Sequence, residues 1–314
     1  LAVGVDKTFM PHDLVAMKGL FEGALDQLDP SEWRDDLSAA AAQHDLTYQP
    51  HPARITLLDV CGLQAEWHSK THGTTARQLA ASAAKNHDHG ALNPNAQYRK
   101  RMTVDEVLAD KPIVGALTRA MCAPISDGAA AVILCSERAF RDLPDAVKRR
   151  GIALRSSAIA AGRHRQIDEP SVTTVAAKRA YAAAGVGPDA IDLAEVHDAT
   201  SFAEIAASED LGFCGAGEGG RYMESGAAAL GGRRPTNLSG GLVSKGHPLA
   251  ASGIAMLHEL TTQLRGEAGE RQAANPTLAL LHNAGGLVAL DEASCAVQIL
   301  SRATPADAAS TEAS

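Results

Sequence analysis

The sequence predicts an α/β protein whose functional residues lie in Gly-rich turns. Strand-like and helical segments alternate from residue 151 onward, which favours a sheet covered by helices. Three histidines, His197, His247 and His282, each stand at the end of an apolar segment and beside a turn. Because ligands of open α/β sheets gather at the carboxyl ends of the strands, we expect the three histidines to share one site.

Two strands and a polar interruption are predicted in the first 150 residues. Residues 1–5 and 128–134 are runs of small and branched apolar residues, as in buried strands. Residues 9 to about 120 are more polar and contain short helical pieces, which is typical of a lid or an inserted segment.

One helix of this inserted segment is expected over residues 75–87, with Thr74 as its N-cap. The polar sequence His87-Asp88-His89 that follows is interpreted as a solvated helix end.

A second unit is predicted to begin near Gly151, with strands and helices in alternation. The expected strands cover residues 152–161, 192–196, 235–242, 278–281 and 294–300. The expected helices cover residues 172–183, 199–211 and 249–264. Residues 304–314 are small and polar, which predicts a frayed tail.

Composition excludes several classes of function. Hydrophobic residues make up 45% and charged residues 21%, as in globular proteins. The net charge of −8 and the dispersed Lys and Arg residues argue against nucleic-acid binding. No apolar run reaches the roughly 18 residues that a membrane helix needs. The 5 cysteines lack Cys-x-x-Cys spacing, which indicates a reducing, cytoplasmic protein.

The histidine turns carry groups that suit acyl chemistry. A neutral imidazole donates one hydrogen bond and accepts another, so it can stabilise an oxyanion or deprotonate a nucleophile. Gly246 allows the backbone to approach a ligand, and Pro248 fixes the chain after His247. Backbone N–H groups at Gly285 and Gly286 provide a second oxyanion hole in this interpretation.

Other interpretations of these residues remain open at this stage. Each histidine could instead be a structural hydrogen-bonding residue, and three histidines could bind zinc. Cys122 could be a nucleophile, although buried cysteines are usually inert.

Several different short motifs are distributed along the whole chain, and their combination is specific. They are Lys85-Asn86-His87, Asn93-Pro94, Ser126-Asp127-Gly128, Glu195-Val196-His197-Asp198, Asn237-Leu238-Ser239-Gly240-Gly241-Leu242, Lys245-Gly246-His247-Pro248, Gln263-Leu264-Arg265-Gly266 and His282-Asn283-Ala284-Gly285-Gly286. With these motifs the chain resembles the thiolase superfamily, and within it the sterol-carrier-protein-type thiolases and thiolase-like proteins. The resemblance implies an α/β thiolase-like fold of two βαβαβαββ halves with an inserted loop domain.

The resemblance also implies the domain boundaries. Residues 1–150 would be the remainder of the first half, including a loop domain over about 9–120. Residues 151–303 would be the second half, and 304–314 a flexible tail. The cysteine nucleophile of the family lies before the strand that matches residues 1–5. We therefore expect the first half to be incomplete by on the order of a hundred residues, and the chain as given to lack its covalent catalyst and activity.

Roles carry over residue by residue from the family. His247 matches the histidine that activates the nucleophile and donates to the thioester oxygen, and His197 matches a position of the first oxyanion hole. The stretch His282-Asn283-Ala284-Gly285 matches the loop that completes the second oxyanion hole through a backbone N–H near Ala284 or Gly285. Gly246 belongs to the same pocket.

One departure from the family pattern concerns the reaction itself. Sterol-carrier-type thiolases commonly carry an acid/base cysteine two positions after the first histidine, whereas this chain has Ala199. His282 or His197 would have to move the proton instead, or the reaction is not that of a thiolase.

Three functions therefore follow from the resemblance. The first is an acyltransferase that cleaves a carbon–carbon bond next to a coenzyme A (CoA) thioester in lipid or sterol side-chain metabolism. The second is a retro-aldolase acting on a bulky, steroid-type acyl-CoA with a small accessory protein. The third is a non-catalytic acyl-CoA- or lipid-binding protein. CoA would be substrate or product, no resident cofactor or metal is expected, and the full-length protein would be a homo-oligomer.

Overall fold

The computed structural model describes residues 1–26 and 28–303, which form the predicted α/β fold. The strands are β1 (Ala2–Asp6), β2 (Pro112–Val114), β3 (Leu117–Thr118), β4 (Gly128–Val132), β5 (Ile152–Ala161), β6 (Leu193–Val196), β7 (Leu278–Gly285) and β8 (Ser294–Arg302). The α-helices are α1 (Leu14–Glu22), α2 (Pro30–Ala42), α3 (Thr56–His72), α4 (Ala76–Ala91), α5 (Val104–Leu108), α6 (Glu137–Arg141), α7 (Asp145–Lys148), α8 (Val172–Ala184), α9 (Ser201–Asp210), α10 (Gly219–Glu224), α11 (Gly241–Lys245) and α12 (Leu249–Arg265).

A four-stranded sheet with the order β5-β8-β7-β6 forms the framework of the second unit. β6 and β7 are parallel, and Val196 at the end of β6 lies opposite His282. β7 continues to Gly285, paired on that stretch with β8. The carboxyl ends of β6 and β7 therefore lie at the same edge of the sheet, as the sequence predicts.

The predicted strand over residues 235–242 is wrong. Thr236 forms an isolated bridge with Ala194, and the chain then enters α11. Asn237 has a φ of 59°, in the left-handed region, which a continuing strand does not adopt. The backbone and side-chain groups of this turn bond to β6 instead of forming a further ladder.

Helix α12 lies between this sheet and an antiparallel pair formed by β1 and β4. Its apolar residues Met256, Leu260 and Leu264 are fully buried in the core against the four-stranded sheet. The other face of the β1–β4 pair is exposed, with Val3 55% and Val5 66% accessible, so the prediction that these strands are buried is wrong for this face.

The segment between β1 and β4 contains five helices among its described residues, and two of them are longer than the predicted short pieces. Helix α4 begins after Thr75, not Thr74, because Thr75 forms a capping box with Gln78. It runs to Ala91, so His87 and His89 are each 3% exposed and not at a solvated end. Both rings have buried partners: His87 Nε2 lies 3.0 Å from the Ala120 carbonyl, and His89 Nδ1 lies 3.0 Å from the Asn237 carbonyl.

The remaining predicted strands and helices are present with shifts of a few residues at their ends. The expected tail over residues 304–314 lies outside the described residues. Within the described ranges, no helix is long and apolar enough to cross a membrane.

Candidate active site

Two of the predicted histidines meet at the edge of the sheet. His197 directly follows β6, and His247 lies between α11 and α12. The centroids of their rings are 5.0 Å apart, and the ring planes make an angle of 79°. The fold thus brings two distant segments of the sequence into edge-to-face contact at the carboxyl end of β6.

The hydrogen bonds around His247 define its tautomer. Its Nδ1 lies 2.8 Å from Ser252 Oγ, and the Ser252 hydroxyl donates to the Pro248 carbonyl at 2.9 Å. Because the hydroxyl proton is used there, Ser252 accepts from Nδ1–H, and the lone pair of the neutral ring is on Nε2. Among the described residues, no hydrogen bond occupies that Nε2. His247 is therefore oriented as a proton acceptor.

The backbone at His247 is fixed by a close approach to Ser126. The His247 N–H donates to Ser126 Oγ at 3.0 Å. The preceding Gly246 has a φ of 107°, and a Cβ there would come within 2.6 Å of Ser126 Oγ. A larger residue would be strained at this position and would displace Ser126. The close backbone approach predicted for Gly246 is thus made to Ser126.

Both paired histidines are held in the neutral form. Burial and, secondarily, Lys245 lower the pKa of His197 to about 4. Burial, His197 and Lys245 lower the pKa of His247 well below its usual value. The Nζ of Lys245 is itself buried and lacks a hydrogen-bond partner within the described part of the chain. Neutral imidazoles beside a buried ammonium favour a bound group that carries developing negative charge.

Asp198 ties the two histidine segments together. Its carboxylate accepts from the Leu242 N–H at 2.6 Å and from Asn86 Nδ2 at 2.8 Å. Burial and the nearby Glu204 carboxylate raise the pKa of Asp198 well above its usual range. Because Asp198 follows His197, and Leu242 belongs to α11, which leads to His247, this bond joins the two segments that carry the rings.

Glu195 and Asn237 reinforce the same connection. The Glu195 carboxylate accepts from the Ser239 N–H at 3.0 Å and from Ser239 Oγ at 2.6 Å. Asn237 Oδ1 accepts from the Val196 N–H at 2.8 Å. The end of β6 and the turn before α11 are therefore held by several buried hydrogen bonds, a rigid support for a preorganised site.

A buried ion pair lies beneath this connection. Lys85 Nζ lies 2.7 Å from Glu204 Oε1 and donates to the Thr236 carbonyl at 2.8 Å. Asn86 Nδ2 donates to Glu204 Oε2 at 2.9 Å and thereby joins the pair to Asp198. The Lys85-Asn86 motif thus stabilises, through these hydrogen bonds, the segments that carry the site residues.

His282 does not join the ring pair. Its Nδ1 accepts from the backbone N–H of His197 at 3.3 Å, so Nε2 carries the proton and faces Thr173 Oγ1 at 3.0 Å. The side chain is 2% exposed, and burial lowers the pKa of His282 to about 3. With both ring nitrogens engaged, His282 positions the His197 backbone, and the geometry disfavours its predicted role in proton transfer.

Asn283, Ala284 and Gly285 extend β7 beyond the last residue paired with β6. Asn283 lies against Gly253 of α12, Ala284 is 4% exposed in the core, and Gly285 is exposed. The backbone of these three residues pairs with β8 on one side. On the other side it extends past the end of β6, where the site lies. This position is compatible with the predicted second oxyanion hole.

Ala199 contributes only its backbone and a methyl group to the site. It is partly exposed, and its carbonyl accepts from the Ala123 N–H at 2.9 Å.

Burial raises the pKa of Cys122 to about 12, and Cys122 is 8% exposed, so it is a poor nucleophile. In residues 1–26 and 28–303, no three His, Cys, Asp or Glu side chains are arranged to hold a metal ion, and the zinc alternative finds no support.

A cavity of about 820 Å³ lies on the β4 side of the His247 turn. Ser126, Lys245, Gly246, Pro248 and Ser252 all line it, so the groups that orient His247 are next to open space.

Sequence reasoning missed four residues that organise the site: Ser126, Asp198, Lys245 and Ser252. Ser126, Asp198 and Lys245 stood within the quoted motifs but were given no role. Ser252 lies in the first turns of α12, five positions after His247, and this spacing was the available signal.

Comparisons with known proteins agree with this architecture. Residues 156–302 match the family described as "Thiolase C-terminal domain-like". Over 278 residues the chain is 40% identical to an acetyl-CoA acetyltransferase of Methanothermobacter thermautotrophicus, covering 88% of this chain and 70% of that protein. Over 243 residues it is 37% identical to sterol carrier protein 2 of Oryctolagus cuniculus, covering 75% of this chain and 44% of that protein.

Solved structures show the same fold at lower identity. The structure titled "Ltp2-ChsH2(DUF35) aldolase" superposes with a TM-score of 0.67 at 21% identity, covering 88% of this chain and 69% of that chain. At this identity the likeness concerns the fold alone.

Proposed function

Because the chain belongs to the thiolase family, we propose that it is an acyltransferase that makes or breaks a carbon–carbon bond next to a CoA thioester. The observation that carries this proposal is the neutral His197–His247 pair, with ring centroids 5.0 Å apart at the carboxyl end of β6. Acyl-CoA is the substrate, and the proposal involves no resident cofactor or metal.

The two rings take different parts of the reaction in this proposal. No hydrogen bond within the described residues occupies the His197 ring, so it can donate to the thioester oxygen with either nitrogen. His247 Nε2 accepts a proton from the nucleophile that attacks the thioester carbon. The protonated ring then donates a second hydrogen bond to the thioester oxygen. A preorganised donor of this kind lowers the barrier by about 3 kcal/mol in a water-poor site.

Lys245 and the backbone beyond β6 complete the electrostatics. The Lys245 ammonium disfavours protonation of both histidines before the substrate binds and favours negative charge on the thioester oxygen afterwards. The free backbone edge at Ala284 and Gly285 supplies the second oxyanion hole.

Ala199 favours a second candidate, retro-aldol cleavage of a β-hydroxyacyl-CoA. A base takes the hydroxyl proton, the Cα–Cβ bond breaks, and the electron pair becomes the enolate held by the histidines. This reaction does not need the acid/base cysteine of the thiolases, and this chain has alanine at that position, 199. The accessory protein and the homo-oligomer expected from the family are part of this proposal.

Product analysis distinguishes the candidates. The full-length protein is incubated with a 3-ketoacyl-CoA and free CoA, and separately with a β-hydroxyacyl-CoA, and products are identified by mass spectrometry. A shortened acyl-CoA in the first incubation supports acyl transfer, and a released ketone or aldehyde in the second supports the aldol reaction. Bound thioester with neither product contradicts both and leaves the binding protein. His247→Ala should abolish turnover, whereas exposed His12→Ala should not.

A further inference from the structure

His282 is a polar side chain on a face of the four-stranded sheet that is otherwise apolar. In β7 it stands between Leu280 and Ala284, whose side chains point to the same face and lie in the core covered by α8. A buried imidazole costs free energy unless its ring nitrogens are hydrogen-bonded. His282 meets this condition through the His197 backbone on one side and Thr173 on the other.

The first partner is the backbone of His197, at the point where the β6–β7 ladder ends. Val196 is the last residue of β6 and lies opposite His282. The next N–H, that of His197, donates to His282 Nδ1 at 3.3 Å. Because the His197 ring has no hydrogen bond of its own to the residues that the structure describes, its direction depends on its backbone. The bond to His282 therefore fixes the backbone from which the His197 ring projects.

The second partner, Thr173, determines which nitrogen of His282 carries the proton. Thr173 Oγ1 lies 3.0 Å from His282 Nε2, and its hydroxyl donates to Cys295 Sγ at 3.6 Å. With the hydroxyl proton directed at the sulfur, the Thr173 oxygen accepts from Nε2–H. Nδ1 then keeps its lone pair, which the His197 N–H requires. The hydrogen bonds thus run in one direction, from the His197 backbone to the Cys295 sulfur.

The first turn of α8 holds Thr173 in place. Thr174 Oγ1 donates to Asp210 Oδ1 at 3.0 Å, and the Val172 N–H donates to Asp291 Oδ1 at 3.0 Å. Thr173 itself is 2% exposed. Because both neighbours of Thr173 are anchored, its oxygen is held in one position beside the ring.

We propose that Thr173 is a positioning residue for the candidate active site. Its hydroxyl holds His282 in the tautomer that accepts from the His197 N–H, and this bond keeps the His197 ring aimed at the oxygen of a bound thioester. No proton passes from this chain of hydrogen bonds to the substrate, so Thr173 and His282 act on geometry alone. The proposal rests on the proposed function, because it assigns Thr173 a part in holding the same oxygen.

The charge states of the buried groups are consistent with this role. Burial and, secondarily, His197 lower the pKa of His282 to about 3, so the ring stays neutral. A neutral imidazole has a single N–H, and a proton on Nε2 therefore leaves Nδ1 free to accept. Burial raises the pKa of Cys295 to about 12, which keeps the sulfur as a thiol beside the Thr173 hydroxyl.

Kinetics of the full-length protein test the proposal with matched variants. Thr173→Val keeps the shape of the side chain and removes its hydroxyl. We expect kcat to fall about 10- to 100-fold with KM little changed, because a misplaced donor matters most in the transition state. Thr173→Ser restores the hydroxyl and should recover most of the loss. Thr174→Val is the control, since it removes the neighbouring hydroxyl, which bonds to Asp210 instead of His282.

Nitrogen NMR of the histidine side chains reads the tautomer without any reaction. The ¹⁵N chemical shift distinguishes a bare ring nitrogen from a protonated one, and the signals of this ring are identified by their loss in His282→Gln. We expect wild-type His282 to carry its proton on Nε2 and Thr173→Val to show a mixture of tautomers.

The outcomes separate Thr173 from the site as a whole. A proton on Nδ1 of wild-type His282 overturns the proposal, whatever the variants do. Wild-type kcat in Thr173→Val also overturns it, as does a loss of kcat that is equal in Thr174→Val or persists in Thr173→Ser. A wild-type protein that binds acyl-CoA without turnover contradicts the proposed function instead, and the NMR measurement then still decides whether Thr173 sets the tautomer.

Discussion

His247 Nδ1 and Ser252 Oγ lie 2.8 Å apart, and this contact sets the chemical state of the site. Ser252 also bonds to the Pro248 carbonyl at the start of α12, so the first turn of the helix determines which nitrogen of His247 holds the proton. Three of the predictions below concern the hydrogen bonds and the ion pair around this contact, and a fourth concerns the burial of His89.

Ser252→Ala should impair catalysis more than stability. The change removes the acceptor of His247 Nδ1–H, so the ring can rotate and exchange tautomers, and we expect at least a tenfold loss of turnover by the full-length protein. The free energy of unfolding should fall by about 1 kcal/mol. Thr262→Ala is the matched control, because Thr262 Oγ1 makes the same helical bond, to the His258 carbonyl at 2.8 Å, on the exposed side of α12. Equal turnover rates in the two variants would show that Ser252 does not orient His247.

Gly246→Ala should destabilise the protein by about 2–3 kcal/mol in urea unfolding. The backbone is in the left-handed region, and the new Cβ would meet Ser126 Oγ at 2.6 Å. Gly266→Ala is the control: its φ is 75°, but the nearest atom to the new Cβ is the flexible end of Arg302 at 3.7 Å. A cost for Gly246→Ala no greater than that for Gly266→Ala would refute the close approach.

Lys85→Met should destabilise the protein by about 3–5 kcal/mol, because it leaves the fully buried Glu204 carboxylate without its cation. Adding Glu204→Leu should recover part of the loss. Arg77→Met breaks the exposed pair with Asp105 and should cost less than about 1 kcal/mol. Chemical denaturation of the four proteins measures these differences, and a similar small cost for both single variants would contradict the buried pair.

The stability contributed by His89 should depend on pH with a known sign. Burial, together with Lys85, lowers the pKa of His89 from 6.5 to about 3, so the folded protein keeps this ring neutral. The unfolded chain takes up the proton below about pH 6.5, and lowering the pH from there towards 3 therefore destabilises the fold by about 1.4 kcal/mol per pH unit.

Comparison with His89→Gln isolates this contribution. The variant loses the hydrogen bonds of His89 to Asn237 and Leu230 and should be less stable at pH 7, but the difference from wild type should shrink as the pH falls to 5. Glu195 and Glu292 act oppositely, since their raised pKa values of about 7 contribute stability that is lost as the pH rises through 7, and they cancel in the comparison. A pH-independent difference would contradict burial of neutral His89.

Local patterns in the sequence predicted most of the second unit. The apolar spacing of α8 and the stop at Gly185 identified that helix, and the apolar runs identified β5 and β8. The strand prediction for residues 235–242 was wrong because the conformation of this segment depends on long-range hydrogen bonds, such as that from Val196 N–H to Asn237 Oδ1. The prediction that His87 and His89 lie at a solvated helix end was wrong for a similar reason. Polar histidines are buried only where a partner such as the Ala120 carbonyl is available.

The candidate site was predicted in part. His197 and His247 were expected to meet because each was predicted to follow a strand; this holds for His197, which follows β6, whereas His247 follows α11. The buried role of His282 could not, because it depends on which ring nitrogen faces Thr173 and which faces the His197 backbone.

The carbonyl stretch of bound acetyl-CoA tests the central claim, that the neutral His197–His247 pair holds a thioester oxygen. Acetyl-CoA labelled with ¹³C at the carbonyl is bound to the protein, and the stretch is isolated by isotope-edited infrared difference spectroscopy. We predict a shift to lower frequency in the wild type and in His12→Ala, and loss of that shift in His197→Ala. A bound thioester whose carbonyl frequency equals that in water, or a shift unchanged in His197→Ala, would contradict the account.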